Sequence, residues 1–188
     1  SAGNAITSGT NYNVIVGDGA GLVLDGGDVN TLIGYHAGED MTSGSNNVMI
    51  GSEAGKVITT TTTTVLIGAG AGAAINHVDA NGTICIGYQS GDAITSGIGN
   101  ITIGANAGGA MSTSDYNTII GTEAGSAITT APGYNTIIGY KAFQSNSSTA
   151  AAYNTVIGYQ AMQNGSHNAS KNIVIGHEAG QELTQGDA

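Results

Sequence analysis

The chain contains few of the residues that build the core of an ordinary globular domain. Its 188 residues include no tryptophan, one phenylalanine, one proline and one cysteine. A globular domain of this length normally uses more aromatic residues and leucine, so the deficit indicates a thin core of small side chains. The single Cys85 has no partner for an internal disulfide, and we expect it to act as a small buried hydrophobe.

Charged residues are also scarce, and most of them are acidic. Three Lys and Arg residues stand against 13 Asp and Glu, which gives a formal net charge of -10. So few cations cannot neutralise a phosphate backbone, so we expect neither nucleic acid nor an anionic membrane surface as a partner. No apolar run approaches the roughly 20 residues of a membrane span, and we expect no membrane insertion. A chain poor in cysteine and lysine and rich in Thr, Asn and Gly suits an extracellular or virion surface.

The most informative feature of the chain is a repeat. Ten copies of a five-residue phrase, typified by Asn117–Gly121, recur from end to end. Successive closing glycines lie 17, 17, 17, 19, 17, 17, 18, 19 and 18 residues apart, and they are Gly17, Gly34, Gly51, Gly68, Gly87, Gly104, Gly121, Gly139, Gly158 and Gly176. A period this short predicts a solenoid in which each repeat forms one coil.

The composition of the unit indicates the local structure of a coil. A β-prone run of Val, Ile and Thr is followed by a Gly/Ala corner, a shorter apolar step and a second corner of small residues. No stretch of residues between the glycine-containing corners is long enough to form an amphipathic helix. We therefore predict an all-β, parallel β-solenoid (β-roll) of about eleven coils that forms one domain over residues 1–188. Neither end shows a polar capping element, so we expect a fragment of a longer rod or a unit that stacks end to end.

An asparagine opens eight of the ten copies. Stacked amides can hydrogen-bond along the axis of a solenoid, and Asn tolerates the bent backbone of a corner. We predict a structural ladder made of Asn13, Asn30, Asn47, Asn100, Asn117, Asn135, Asn154 and Asn172.

The strands carry mostly apolar residues on both faces, with some threonines, which predicts burial on both faces. The residue before each closing glycine is always Ile or Val, and we expect it to point into the coil together with the residue two positions earlier. The residue between them would then face outward and need cover from another copy of the chain. We predict an oligomer interface, in a homotrimer, formed by Ile15, Leu32, Met49, Leu66, Ile119, Ile137, Val156 and Val174.

Other residues suggest surface roles. Four tyrosines follow a closing glycine and are predicted surface contacts, for a subunit boundary or for a sugar: Tyr35, Tyr88, Tyr140 and Tyr159. Six consecutive threonines, 59–64, suggest an ice-binding array, although the run lies along one coil and does not repeat as a Thr-x-Thr rank in neighbouring coils. The glycine-rich corners lack the helix that a dinucleotide loop requires. We expect no catalytic residues, no metal and no cofactor.

Two phrases of the chain show a family resemblance. Residues 135–142, Asn-Thr-Ile-Ile-Gly-Tyr-Lys-Ala, and residues 154–161, Asn-Thr-Val-Ile-Gly-Tyr-Gln-Ala, resemble the repeats of bacteriophage tail fibres. They are also similar to the head repeats of trimeric autotransporter adhesins. That resemblance implies a left-handed, homotrimeric β-roll and a non-enzymatic fibre segment that presents loops to a receptor or glycan. The alternatives are a self-assembling extracellular filament that stacks head to tail and an ice-binding solenoid.

Overall fold

A computed structural model describes residues 2–3, 11–129, 133–144, 151–163, 170–181 and 183. The expectation that the ends lack polar capping elements concerns residues that lie mostly outside the described ranges. Ten three-residue strands are formed, namely β1 (Val14–Val16), β2 (Thr31–Ile33), β3 (Val48–Ile50), β4 (Val65–Ile67), β5 (Ile84–Ile86), β6 (Ile101–Ile103), β7 (Thr118–Ile120), β8 (Thr136–Ile138), β9 (Thr155–Ile157) and β10 (Ile173–Ile175).

The strands form one parallel sheet in which every strand pairs with its neighbours in the sequence. The sheet order is β1 to β10 without a crossover, and each pairing aligns equivalent residues, as in Ile119 with Ile137 and Val156 with Val174. Since each chain segment returns to the next strand position after 17 to 19 residues, the fold is a parallel β-solenoid of about nine turns, as the repeat predicts. Left-handedness and a count of eleven coils stay predictions.

No α-helix occurs in the described part of the chain. The remaining regular element there is a single 3₁₀ turn, Val78–Ala80, in the longer coil between β4 and β5. No helix among the described residues has the length and apolarity of a membrane span.

Glycine ends each strand for two physical reasons. The closing glycines have left-handed backbone angles, for example φ +140° at Gly34, a region that other L-residues rarely enter. Stacked glycines also approach one another closely, because a Cβ on Gly34 would lie 2.4 Å from the carbonyl oxygen of Gly51. The same contact recurs up the stack, so a side chain at this column would push neighbouring coils apart.

The core is a narrow stack of mostly small and medium side chains that runs the length of the described coils. Each typical coil contributes the central residue of its strand, an alanine from the first corner and an apolar residue from the second half, as with Leu32, Ala37 and Met41. All three are completely buried. This core explains how the chain folds with almost no aromatic residues.

The structure reverses the predicted orientation of the strands. The central column that we predicted to face outward lies in the core: Leu32, Met49, Leu66, Ile119, Ile137 and Val156 are completely buried, Val174 is 8% exposed, and Ile15 packs against the core. The interface assigned to these residues is therefore wrong. A three-residue strand has one inward and two outward positions when its centre faces in. The thin core has room for one side chain per strand because alanine and the second apolar residue fill the rest.

Candidate interaction surface

The outward positions of the strands form an apolar surface that runs along the described sheet. We call this surface the sheet face. It consists of twenty residues, namely Val14, Val16, Thr31, Ile33, Val48, Ile50, Val65, Ile67, Ile84, Ile86, Ile101, Ile103, Thr118, Ile120, Thr136, Ile138, Thr155, Ile157, Ile173 and Ile175. All are half-buried or exposed, with the highest exposure at the two end strands. The face contains four threonines and no charged side chain.

One column of residues borders the sheet face on the side where the chain enters each strand. This leading border consists of the residue two positions before each strand, namely Tyr12, Val29, Asn46, Thr63, Gly82, Gly99, Tyr116, Tyr134, Tyr153 and Lys171. Every one of them has a positive φ, including the β-branched Val29 at 58° and Thr63 at 58°, where such residues are strained. The hydrogen bond from the N–H of Val29 to the carbonyl of Asn11, 3.0 Å, shows how stacking against the previous coil holds this corner.

A second column borders the sheet face where the chain leaves each strand. This trailing border consists of the residue two positions after each strand, namely Asp18, Tyr35, Ser52, Ala69, Tyr88, Ala105, Thr122, Tyr140, Tyr159 and His177. All of them are exposed except the half-buried Ala105. The four predicted surface tyrosines thus lie together in one column.

Stacked aromatic rings occupy both borders near the C-terminal end. On the leading border the ring centroids of Tyr116 and Tyr134 are 5.3 Å apart, and those of Tyr134 and Tyr153 are 5.1 Å apart. On the trailing border Tyr140, Tyr159 and His177 stack at 5.4 and 5.0 Å. Because the rings cover one another, the face of an inner ring is closed to a sugar. The tyrosines remain roughly half exposed, so ring edges are accessible along each stack.

The eight predicted ladder asparagines occupy one column inside the coils. Oδ1 of Asn30 accepts hydrogen bonds from the backbone N–H and the Nδ2 of Asn47, at 3.0 and 3.1 Å. Nδ2 of Asn30 donates to the carbonyl of Gly44 at 2.9 Å and so fastens the corner that leads into the next strand. Thr64 and Thr83 interrupt the column, which leaves one run from Asn13 to Asn47 and another from Asn100 to Asn172. The ladder holds the coils in register and lies away from solvent.

The ionic contacts lie on corners beyond the sheet face. Nδ1 of His36 is 2.6 Å from Oε2 of Glu39, and Nζ of Lys56 is 3.8 Å from the same carboxylate. Further along, the hydroxyl of Tyr140 and the carboxylate of Glu123 raise the pKa of Lys141. These contacts leave the centre of the sheet face uncharged.

The buried polar atoms near the middle of the core do not form a reactive site. Burial raises the pKa of the Cys85 thiol to about 12, so the thiolate required of a nucleophile is not available near neutral pH. Oγ of Ser90 donates to the carbonyl of Thr102 at 2.9 Å and lies 2.8 Å from its hydroxyl. Among the described residues, no group of three or more His, Cys, Asp or Glu side chains could hold a metal ion.

The sequence contained a signal for the true outward positions. Threonine stands at the first outward position in β2, β7, β8 and β9, whereas the central position holds leucine, methionine and cysteine in β2 to β5. A hydroxyl is easier to solvate than to bury, so this difference favours the first position as the outer one. Thr102 at the centre of β6 obscured the pattern, because its hydroxyl is buried and hydrogen-bonded to Ser90.

Comparison with protein-family models, with curated proteins and with solved structures gives no match.

Proposed function

We propose that this protein is a non-enzymatic structural rod whose copies associate through the sheet face. The observation that supports it is an uncharged aliphatic surface that follows all ten described strands. Isolated exposed hydrophobes are ordinary on a protein surface, but a continuous apolar patch of more than a few hundred Å² marks an interaction site. This surface replaces the inward column as our candidate oligomer interface.

The dimensions of the surface suit a stable homo-oligomer. Nine strand spacings of about 4.8 Å give a length of about 43 Å, and the three residues of each strand span about 10 Å. The resulting area of the sheet face is about 430 Å², which exceeds the few hundred Å² that marks an interaction site. A standard interface buries roughly 800 Å² per partner, so both borders belong to the proposed contact.

The biological setting we propose is a fibre segment of a phage tail fibre or a surface adhesin, outside the cell or on a virion. The family resemblance of residues 135–142 and 154–161 supports this setting. Stacked coils supply stiffness and reach, while the corner loops present side chains to a receptor or glycan. The homotrimer suggested by that resemblance stays a prediction.

The oligomer can be tested with two single lysine substitutions. Ile120→Lys places a charge in the middle of the sheet face, and Thr60→Lys places the same charge on an exposed residue outside it. We expect the unmodified chain and Thr60→Lys to be oligomers in light scattering at micromolar concentration, and Ile120→Lys to be a folded monomer with an unchanged circular dichroism spectrum. A folded, monomeric unmodified chain would overturn the proposal.

Ice binding is a second candidate because of one feature of the sheet face. Three successive strands carry Thr-x-Ile outward, at Thr118, Thr136 and Thr155, so threonines do form a rank across neighbouring coils. This rank is separate from the threonine run 59–64, and it holds one threonine per strand, as Thr-x-Ile and not Thr-x-Thr. Inhibition of ice recrystallisation by the monomeric Ile120→Lys variant is not expected, because its charge lies on this face. Inhibition by the unmodified chain, with no self-association, would favour ice binding over the rod.

A further inference from the structure

We propose that two copies of this chain pair through their sheet faces with their solenoid axes antiparallel. This inference rests on the proposed function, in that it assumes that the sheet face is covered by a second copy. It adds the direction in which that copy runs, and it is an alternative to the homotrimer implied by the family resemblance, because three chains around a threefold axis all run parallel. The evidence comes from the unequal distribution of bulky and small residues along the two borders.

Parallel and antiparallel pairs of the chain bring different residues of the two borders into contact. A closed symmetric arrangement with parallel axes, a pair or a trimer, sets the same coil of each chain at the same height. An antiparallel pair, related by a half-turn about a line along the strands, sets β1 against β10, β2 against β9 and so on to β5 against β6. Residues of the leading border then meet the partner's leading border, and trailing residues meet trailing residues.

Parallel axes give poor steric matching. The bulky Tyr134 and Tyr140 flank the same strand, β8, so parallel chains would place these rings against one another. The residues that flank β3, Asn46 and Ser52, are small and would also meet one another. The two faces would be held apart at one end and leave a gap at the other, whereas close packing requires large residues opposite small ones.

The antiparallel pair sets large residues against small ones. On the leading border Tyr134 would meet Asn46, and Tyr153 would meet Val29. The trailing border matches in the same way, because Tyr140 would meet Ser52 of the second copy. One tyrosine pair, Tyr35 with Tyr159, is left at matching heights. Because Tyr140 and His177 cover both faces of the Tyr159 ring, the contact there would be with its edge, an arrangement that aromatic pairs also favour.

The charges at the two ends of the borders favour the same direction. Parallel chains would bring Lys171 and His177, which flank β10, to the same height, so two basic groups would face each other. Antiparallel chains would set His177 against Asp18 and Lys171 against Tyr12, an acid–base pair and a cation beside an aromatic ring. The sizes and the charges of the border residues therefore both favour the antiparallel pair.

Distances between spin labels on two single-cysteine variants distinguish the arrangements. Ser43→Cys lies in the second coil and Thr113→Cys in the sixth, and both residues are exposed and outside the sheet face and its borders. In an antiparallel pair the Ser43 sites are offset by seven coils, about 34 Å along the axis, whereas the Thr113 sites are offset by one coil, about 5 Å. The labelled unmodified chain, with its buried Cys85, is the background control.

We expect the distance between labels at residue 43 to exceed that at residue 113 by about 10 Å or more. Equal distances at the two sites would mean parallel axes, in a pair or a trimer, and would overturn this inference while leaving the proposed oligomer intact. The absence of any dipolar signal at both sites would mean a monomer and would overturn the proposed oligomer itself.

A residue swap provides a second, independent readout. Asn46→Tyr should weaken the pair by about tenfold or more because it would meet Tyr134 of the second copy. The double variant Asn46→Tyr with Tyr134→Asn exchanges the large and the small partner and should restore the dissociation constant to within about threefold. If the double variant stays as weak as Asn46→Tyr alone, these two positions do not meet and the antiparallel arrangement is wrong.

Discussion

Two adjacent isoleucines of strand β7 provide a direct test of which side of the sheet is the core. Ile119 is completely buried and pairs in register with Thr102 and Ile137. Ile120 is the next residue, and it is half-buried on the sheet face. Replacing each by alanine removes the same atoms from the same strand, so the difference in stability reports orientation alone.

The two substitutions should differ severalfold in cost. Ile119→Ala removes three carbons at about 0.8 kcal/mol each and adds a cavity, so the free energy of unfolding should fall by about 3 to 4 kcal/mol. Neighbouring groups would fill the cavity poorly, because Gly125, which lies next to Cδ1 of Ile119, has no side chain to move into the space. Ile120→Ala should cost about 1 kcal/mol in the monomer, since its side chain is already partly in water.

Urea unfolding followed by circular dichroism at several protein concentrations measures both effects. The cost of Ile119→Ala should not depend on concentration, whereas that of Ile120→Ala should grow as the chain associates, because mass action links stability to assembly. The equivalent pair one coil later, Ile137 and Ile138, gives an internal replicate. Equal costs for Ile119→Ala and Ile120→Ala at the lowest concentration would refute the assignment of the core.

Three further substitutions or conditions test other parts of the fold. Asn117→Ala should lower the free energy of unfolding in urea by about 3 kcal/mol, because its buried ladder partners lose their hydrogen bonds. Asn117→Thr should lower it less, since threonine already occupies this column in two coils. Equal losses of stability for the two variants would count against the ladder. Gly104→Ala should abolish the cooperative unfolding transition, because its Cβ would lie 2.6 Å from the backbone carbonyl carbon of Gly121. Gly82→Ala, where φ is +77° and the space around the Cβ position is open, should lower the free energy of unfolding by only about 1 to 2 kcal/mol. Cys85 should resist alkylation at pH 8 in the folded chain. Because the pKa of its thiol is higher in the folded than in the unfolded chain, the protonated thiol should contribute stability below about pH 9, and this contribution should be lost between about pH 9 and pH 12. Melting temperatures measured across this pH range, with Cys85→Ala as the control, would detect the loss.

The architecture was predictable because the same short sequence pattern occurs ten times at nearly constant spacing. A single copy such as residues 117–121 would be an ambiguous short apolar run. Ten copies with closing glycines 17 to 19 residues apart predict coils, and the parallel in-register sheet follows from equivalent residues falling at equivalent positions. Handedness and the number of associated chains depend on corner geometry and on a second copy, and the repeat spacing contains neither.

The side of the strand that faces the core could not be read from hydrophobicity in five of the ten strands, because all three of their residues are apolar. In the other five strands the outward threonines of β2, β7, β8 and β9 are opposed by Thr102 at the centre of β6. Ile119 and Ile120 are identical in chemistry and opposite in environment. What decides the orientation is the rest of the coil: Ala124 and Ile128 reach the core from the two corners and leave space for one strand side chain. That packing is a property of the closed coil, so it becomes visible only when the corner angles are known.

The variety of residues in each column supports an external role for the sheet face. The buried central column contains six residue types, from Thr102 to Met49, whereas the outward position before the closing glycine is isoleucine in nine coils and Val16 in the tenth. Internal packing would predict the opposite, with the strictest residue choice in the core and the loosest on the surface. Contact between stacked isoleucines explains their partial burial, but a mixture of apolar and polar residues would be tolerated if water were the only neighbour. A uniform, uncharged rank of this length is what a surface requires when another regular surface lies against it, whether that surface belongs to a second copy of the chain or to a crystal of ice.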